Sequence, residues 1–119
     1  MELFDTTQVG LERALSGAAL RQQAIAANLA NVNTPGYRRQ DVNFTSALAR
    51  AFATGDKNEV EAVAPRVAVD SLAPMRADGS TVDVDREAAE QAKNGLHYEA
   101  ISAVLRTRTA ILRAAIGVQ

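Results

Sequence analysis

The 119-residue chain contains no cysteine and no tryptophan, one histidine, three prolines and only 4% aromatic residues. Without cysteine there is no disulfide framework and no thiolate metal site. A single histidine, His97, excludes a multi-histidine metal centre, and no residue nearby is nominated to work with it as a general base, so it reads as a structural or surface side chain. Charge of either sign is not in excess: the net charge is -1, which gives no basic face for nucleic acid. No apolar run approaches the roughly 20 residues that cross a bilayer. Met1-Glu2-Leu3-Phe4-Asp5 lacks the basic-then-apolar order of a cleaved secretory signal, so export, if it occurs, is expected to use a specialised route. Gly-rich phosphate loops, nucleophile elbows and His-Glu-x-x-His motifs are missing too. No catalytic set, cofactor, metal or small-molecule substrate is therefore expected.

What is present is alanine. It supplies 24 residues of a chain that is 47% hydrophobic. Large core-filling side chains are scarce, whereas alanine-rich helices suit close packing along a seam. The pattern predicts a mainly α subunit. A first helix is expected over about 6–31, with Asp5, Thr6 or Thr7 as its cap. Leu11, Leu15, Ala18, Gln22, Ile25, Leu29 and Val32 recur at alternating spacings of four and three, the repeat of a side-by-side helix contact. A rod of that kind, about 39 Å long at 1.5 Å per residue, needs a partner helix.

A turn and an extended segment are expected over 32–42, then a short helix over 43–53 started by Asn43 or Thr45, with Phe44, Leu48 and Phe52 on one face and Gly55 as its stop. Residues 54–82 show no helical period. Val67 and Val69 alternate weakly, so this segment is read as irregular or weakly β. A second long helix is expected over 83–117, capped by Asp83 or Asp85 and weakened at Asn94-Gly95. Its stripe is Tyr98, Ile101, Leu105, Arg108, Leu112 and Ala115, widened by Val104, Ile111 and Val118. Arg106, Arg108 and Arg113 complement the negative end of that helix. Two seams of similar length at opposite ends of the chain predict terminal helices packed as an antiparallel coiled coil.

Asp78, Asp83 and Asp85 do not follow the ligand order of a calcium loop, and turn and cap duties account for them. Arg38-Arg39 is suited either to an acidic neighbour or phosphate, or to a solvated turn.

The densest signal is Asn28-Leu29-Ala30-Asn31-Val32-Asn33-Thr34-Pro35-Gly36-Tyr37. Pro35 stops a helix before it, and Pro35-Gly36 fits the centre of a type II turn. Asn33 suits a left-handed cap, Asn28 and Asn31 can bond carbonyls left free at the helix end, and Tyr37 anchors the departing strand. This stretch resembles the N-terminal signature of the flagellar basal-body rod and hook family, and it matches that signature throughout. Asp78-Gly79-Ser80-Thr81-Val82-Asp83-Val84-Asp85-Arg86-Glu87 and Asn94-Gly95-Leu96-His97-Tyr98-Glu99-Ala100 are similar to a proximal rod member of the family. Tyr98-Glu99-Ala100-Ile101 departs from the Tyr-x-Ala-Asn that the related proximal rod protein FlgC tends to carry. About Ala53 to Met75 matches nothing in the family pattern.

The resemblance implies a structural subunit of the bacterial flagellar rod. It implies passage through the flagellar type III export apparatus without a cleaved signal, and assembly in the periplasmic section of the basal body. The partners it implies are further copies of the chain, FlgC and distal rod subunits, the rod-base adapter FliE, and the MS ring and export gate. Within it, Asn28, Leu29, Asn31, Thr34, Pro35, Gly36 and Tyr37 would set the turn, and Leu11, Leu15, Ile25, Leu29, Tyr98, Ile101, Leu105, Ile111 and Leu112 the helix contacts. A soluble helical regulator or export chaperone that binds one partner helix is the alternative from another class.

Overall fold

The computed structural model describes residues 5–117; Val118 of the second stripe and the Met1 to Phe4 part of the N-terminus lie outside the described residues. The elements in order are α1 (Thr6–Ala30), β1 (Gln40–Val42), α2 (Thr45–Thr54), α3 (Lys57–Glu61), β2 (Val67–Val69) and α4 (Val84–Ala115). The chain is mainly α, and its two long helices lie side by side.

Asp5 caps α1 by accepting from Gln8 N at 2.8 Å, and Asp83 caps α4 by accepting from Asp85 N at 3.0 Å. Side-chain bonds between the helices fix their direction. Asn28 meets Glu87, Gln22 meets Asn94 and Asp5 meets Arg108, so α1 and α4 run antiparallel. The molecule measures 61 × 31 × 15 Å. Its thinnest dimension barely exceeds one helix diameter of about 10–12 Å, so there is no room for a deep interior.

The apolar core sits on the flank of α1 away from that pair. Val9 and Ala24 of α1 pack with Val42, Phe44, Leu48, Ala51 and Val60. Two glycines of α1 make this approach possible. A Cβ on Gly17 would lie 2.3 Å from the Phe44 ring, and one on Gly10 would lie 1.9 Å from the Phe52 ring. β1 and β2 form a two-stranded antiparallel sheet with Asp41 opposite Ala68.

Two expectations need correction. The 54–82 segment includes a helix, α3, because Asp56 accepts from Asn58 N at 2.9 Å and Val60 is fully buried in the core. One cap and one anchor suffice where five residues show no period. Asn94-Gly95 does not weaken α4, which runs through without a break; the Asn94 side chain serves the seam and Gly95 keeps ordinary helical geometry. α2 starts at Thr45, one of the two residues expected to start it, and Phe44 precedes it with no side-chain bond to the helix end and its ring buried.

Candidate functional site

The corner after α1 is a helix stop followed by a tight turn. Asn31 ends the helix, and its Nδ2 donates to the Ala27 carbonyl at 2.8 Å. The Thr34 hydroxyl donates to Asn31 Oδ1 at 3.1 Å. Thr34 to Tyr37 then form a turn closed by Tyr37 N on the Thr34 carbonyl at 3.2 Å. Gly36 has φ +75° at the third turn position, the left-handed region that a type II turn requires. Asn33 is not a left-handed cap: no residue other than glycine has positive φ among the described residues. Asn31 ends α1 at φ -108° and the turn at Gly36 makes the reversal, so Asn33 has no such geometry to supply.

The second family-like stretch lies against this turn. Gly36 N donates to the Asp78 carbonyl at 3.1 Å, Thr81 N donates to the Tyr37 carbonyl at 3.2 Å, and Arg76 and Ser80 both donate to the Val32 carbonyl. A Cβ on Gly79 would meet Gly36 Cα at 3.3 Å. Asp78 itself accepts from Ser80 N at 3.0 Å, a turn role.

Beneath the turn is a buried polar network. Asn28 is fully buried, and it treats β1 as a neighbouring strand would. Its Nδ2 donates to the Gln40 carbonyl at 2.8 Å and its Oδ1 accepts from Gln40 N at 2.9 Å. The same amide accepts from the Tyr37 hydroxyl at 3.2 Å and donates to Glu87 Oε2 at 3.2 Å. Glu87 also takes the Nε–H of Arg39, and these two side chains are 0% and 1% exposed. Arg39 Nη1 reaches Asp70 at 3.0 Å and Asp41 at 3.5 Å. An ion pair that has lost its water needs this degree of further bonding to be tolerated.

Titration follows the geometry. Burial alone pushes the Arg39 guanidinium down, but Glu87 and Asp41 outweigh it and hold the group charged. Burial pushes the Tyr37 phenol up and the Glu87 charge adds to this, so the hydroxyl stays a donor. At Asp70, burial raises the carboxyl, yet the Leu72 N–H with Arg39 and Arg86 brings it below the usual carboxylate range.

Asn28 and Tyr37 are legible in the sequence as part of this corner. Arg39 is legible in part, as half of a basic pair suited to an acidic neighbour, and it meets three carboxylates. Asp70 and Glu87 are not: Glu87 sits where a helix-dipole partner belongs, and Asp70 stands in a segment without pattern. The one available signal is a basic pair next to a strand that must pack on a helix start.

Along the seam, Ala18 and Ile25 of α1 are buried, and Leu11, Leu15 and Leu29 are half-buried. On α4, Ile101, Leu105 and Leu112 are half-buried, whereas Tyr98 and Ile111 are 42% and 63% exposed. Ile111 belongs to the opposite face of α4. Polar bonds punctuate the seam. Asn94 donates to the Ala18 carbonyl at 2.8 Å and to Gln22 at 3.1 Å. Arg108 clasps both oxygens of Asp5 at 3.0 and 3.1 Å, so it serves the start of α1 rather than the end of its own helix.

The arrangement has fixed polar joints and apolar helix faces, and the carboxylates at the corner are engaged by arginines, caps and turns. Among the described residues no cluster of His, Asp and Glu side chains is placed to hold a metal ion, and no helix is long and apolar enough to cross a membrane.

Residues 11–38 match the family described as flagella basal body rod protein. The chain is 35% identical to the flagellar basal body rod protein FlgB of Escherichia coli (strain K12), over 74% of this chain and 76% of that protein. It is 30% identical to FlgB of Bacillus subtilis (strain 168), over 85% of each chain, and 29% identical to FlgB of Borreliella burgdorferi, over 77% of this chain and 82% of that one. Identity of 30% or more over 74% or more of each chain carries the assignment: the chain belongs to the flagellar basal-body rod protein family.

Proposed function

We propose that the chain is a structural subunit of the flagellar rod, at its proximal end, and that it transmits torque through helix packing rather than catalysing a reaction. The observation that carries this reading is the two-sided character of α4. One face is held against α1 by Glu87, Asn94 and Arg108, while Leu96, Val104 and Ile111 are 69%, 47% and 63% exposed on the other. A helix with apolar residues on both faces is suited to burial on both, which a layer 15 Å thick does not provide. The corner network supports the same reading, since a subunit that passes torque must hold the angle between its parts.

On this reading Leu11, Leu15, Ile25, Leu29, Tyr98, Ile101, Leu105, Ile111 and Leu112 carry helix contacts within and between subunits in a coiled-coil arrangement. The chain travels by type III export to the periplasmic section of the basal body. Its neighbours there are its own copies, FlgC and distal rod subunits and FliE, with the MS ring and export gate at the base. Deleting the gene in the motile bacterium that encodes it and purifying basal bodies tests this. The expected result is loss of the rod and of swimming, both restored by the intact gene. Intact rods in the deletion strain would sink the proposal.

A further inference from the structure

Of the six asparagines in the chain, Asn94 alone is followed by glycine. That pair carries a chemistry of its own. When the backbone is free, the Gly95 amide nitrogen can attack the Asn94 side-chain carbonyl carbon. A C–N bond forms, the bond from that carbon to Nδ2 breaks, and Nδ2 leaves as ammonia with the proton that Gly95 gives up. Water then opens the cyclic imide at either carbonyl, giving aspartate or, with the main chain rerouted through the side chain, isoaspartate. Glycine favours the step because no Cβ crowds its nitrogen and its backbone turns freely. The other five asparagines precede residues with side chains, Val32 and Thr34 among them, which hinder the approach.

The folded structure blocks this reaction. Gly95 lies in the middle of α4, where the helix ladder occupies its N–H and helical ψ at Asn94 keeps the two reacting atoms apart. Asn94 is 2% exposed, and its Nδ2 is pinned to α1 by the Ala18 carbonyl at 2.8 Å and Gln22 Oε1 at 3.1 Å. Packing within the chain does not require glycine here, since an added Cβ would meet nothing within 4 Å. The same contacts make the product unfit for the seam. A carboxylate at 94 would set an acceptor against the Ala18 carbonyl, in a place without water to mediate. Isoaspartate would add a backbone carbon in mid-helix and break the ladder.

We infer that Asn94-Gly95 is a self-deamidation site that α4 closes. The reaction runs while α4 is unformed, stops once it forms, and leaves a product that no longer seats on α1. The pair thus marks chains that have stayed unfolded. This goes beyond the rod reading and does not depend on it.

The test uses the purified full chain in mildly alkaline buffer, across a series from urea to trimethylamine N-oxide. Far-UV circular dichroism follows helix content, and peptide mapping by mass spectrometry gives the deamidation rate at each asparagine. In urea Asn94 should react faster than the other five, and Gly95→Ala should bring it down to their level. The Asn94 rate should fall as helix forms, tenfold for each gain of about 1.4 kcal/mol in stability, because only the open chain reacts. Trifluoroethanol, which induces helix without packing, keeps this arm decisive should the chain stay open in trimethylamine N-oxide. Asn94→Asp installs the product directly and should lower the folded-to-unfolded ratio by about tenfold or more, read as a lower urea midpoint. The inference is overturned if Asn94 reacts no faster in urea than the other asparagines, if its rate holds steady while helix content rises, or if Asn94→Asp folds as well as its parent.

Discussion

Gly10 and Gly17 give opposing answers to a naive measure of crowding, and the difference is testable. Both lie in α1, where Gly→Ala gains about 1 kcal/mol of helix propensity. An added Cβ would approach Phe52 to 1.9 Å at Gly10 and Phe44 to 2.3 Å at Gly17. Distance alone says Gly10 is the tighter site. Freedom of the ring says otherwise. Phe52 is 39% exposed and can swing outward, forfeiting part of the roughly 1.5–3 kcal/mol that full burial of a large apolar side chain contributes. Phe44 is 7% exposed, in the core cluster, with the Arg21 guanidinium 5.0 Å above its ring. Moving it costs the usual overpacking penalty of about 1–3 kcal/mol and weakens a cation–π contact worth about 0.5–1 kcal/mol. Gly10→Ala should therefore change stability by less than about 1 kcal/mol, and Gly17→Ala should lose about 1–3 kcal/mol. Urea midpoints from far-UV circular dichroism measure both, with trimethylamine N-oxide held constant so that each variant starts folded. Phe44→Leu should absorb much of the Gly17→Ala loss in a double-mutant cycle. The reasoning fails if Gly10→Ala costs as much as Gly17→Ala, or if the cycle shows no coupling.

Gly36→Val puts a β-branched residue at φ +75° with open space around it, so backbone strain of at least about 1–2 kcal/mol is the whole effect; swimming and rod formation should suffer, while Gly36→Asn should be tolerated. Glu87→Gln leaves Arg39 with Asp70 and Asp41 but no buried charge partner, and a loss of about 3 kcal/mol, at the low end for a broken buried pair, should appear as a lower urea midpoint. The depressed carboxyl of Asp70 binds its proton more weakly folded than unfolded, so its stabilisation is complete above about pH 4 and is lost as pH falls through the lower folded value. Asp70→Asn should flatten that acid limb of the urea midpoint against pH. Gly95→Ala meets nothing within 4 Å and should stabilise the isolated chain by about 1 kcal/mol, read as a higher urea midpoint.

Periodicity made the two long helices readable, because each carries its seam at three-four spacing over many turns. The corner was readable from chemistry: proline and glycine at adjacent positions admit few conformations, and Gly36 adopts the one expected. What escaped was non-local. Val60 anchors α3 only because the chain brings it back to α1, and Glu87 becomes an ion-pair partner only because Arg39 arrives from 48 residues away. The glycines of α1 look like defects until the two phenylalanines of the α2 segment fill the space above them. Asn94 likewise looks like a helix breaker in one dimension and a seam contact in three.

The polar joints of the seam share a spacing that accounts for their presence. Glu87, Asn94 and Arg108 occupy the same position of a seven-residue repeat, and Ile101 fills the rung between the last two. A seam rich in alanine changes little in buried area when one helix slides past the other by a turn. Apolar contact alone therefore fixes the register weakly. The polar groups change that balance. Sliding α4 by one turn would strip Glu87 from Asn28, Asn94 from Ala18 and Gln22, and Arg108 from Asp5. Asn94, buried, would cost about 1–3 kcal/mol left alone and the charged Glu87 more, whereas the half-exposed Arg108–Asp5 pair adds little. These residues contribute little net stability as pairs, yet they make every wrong register expensive. In a helix pair this thin, register is held by these joints and not by a deep core, and the corner network extends the same constraint from the seam to the turn.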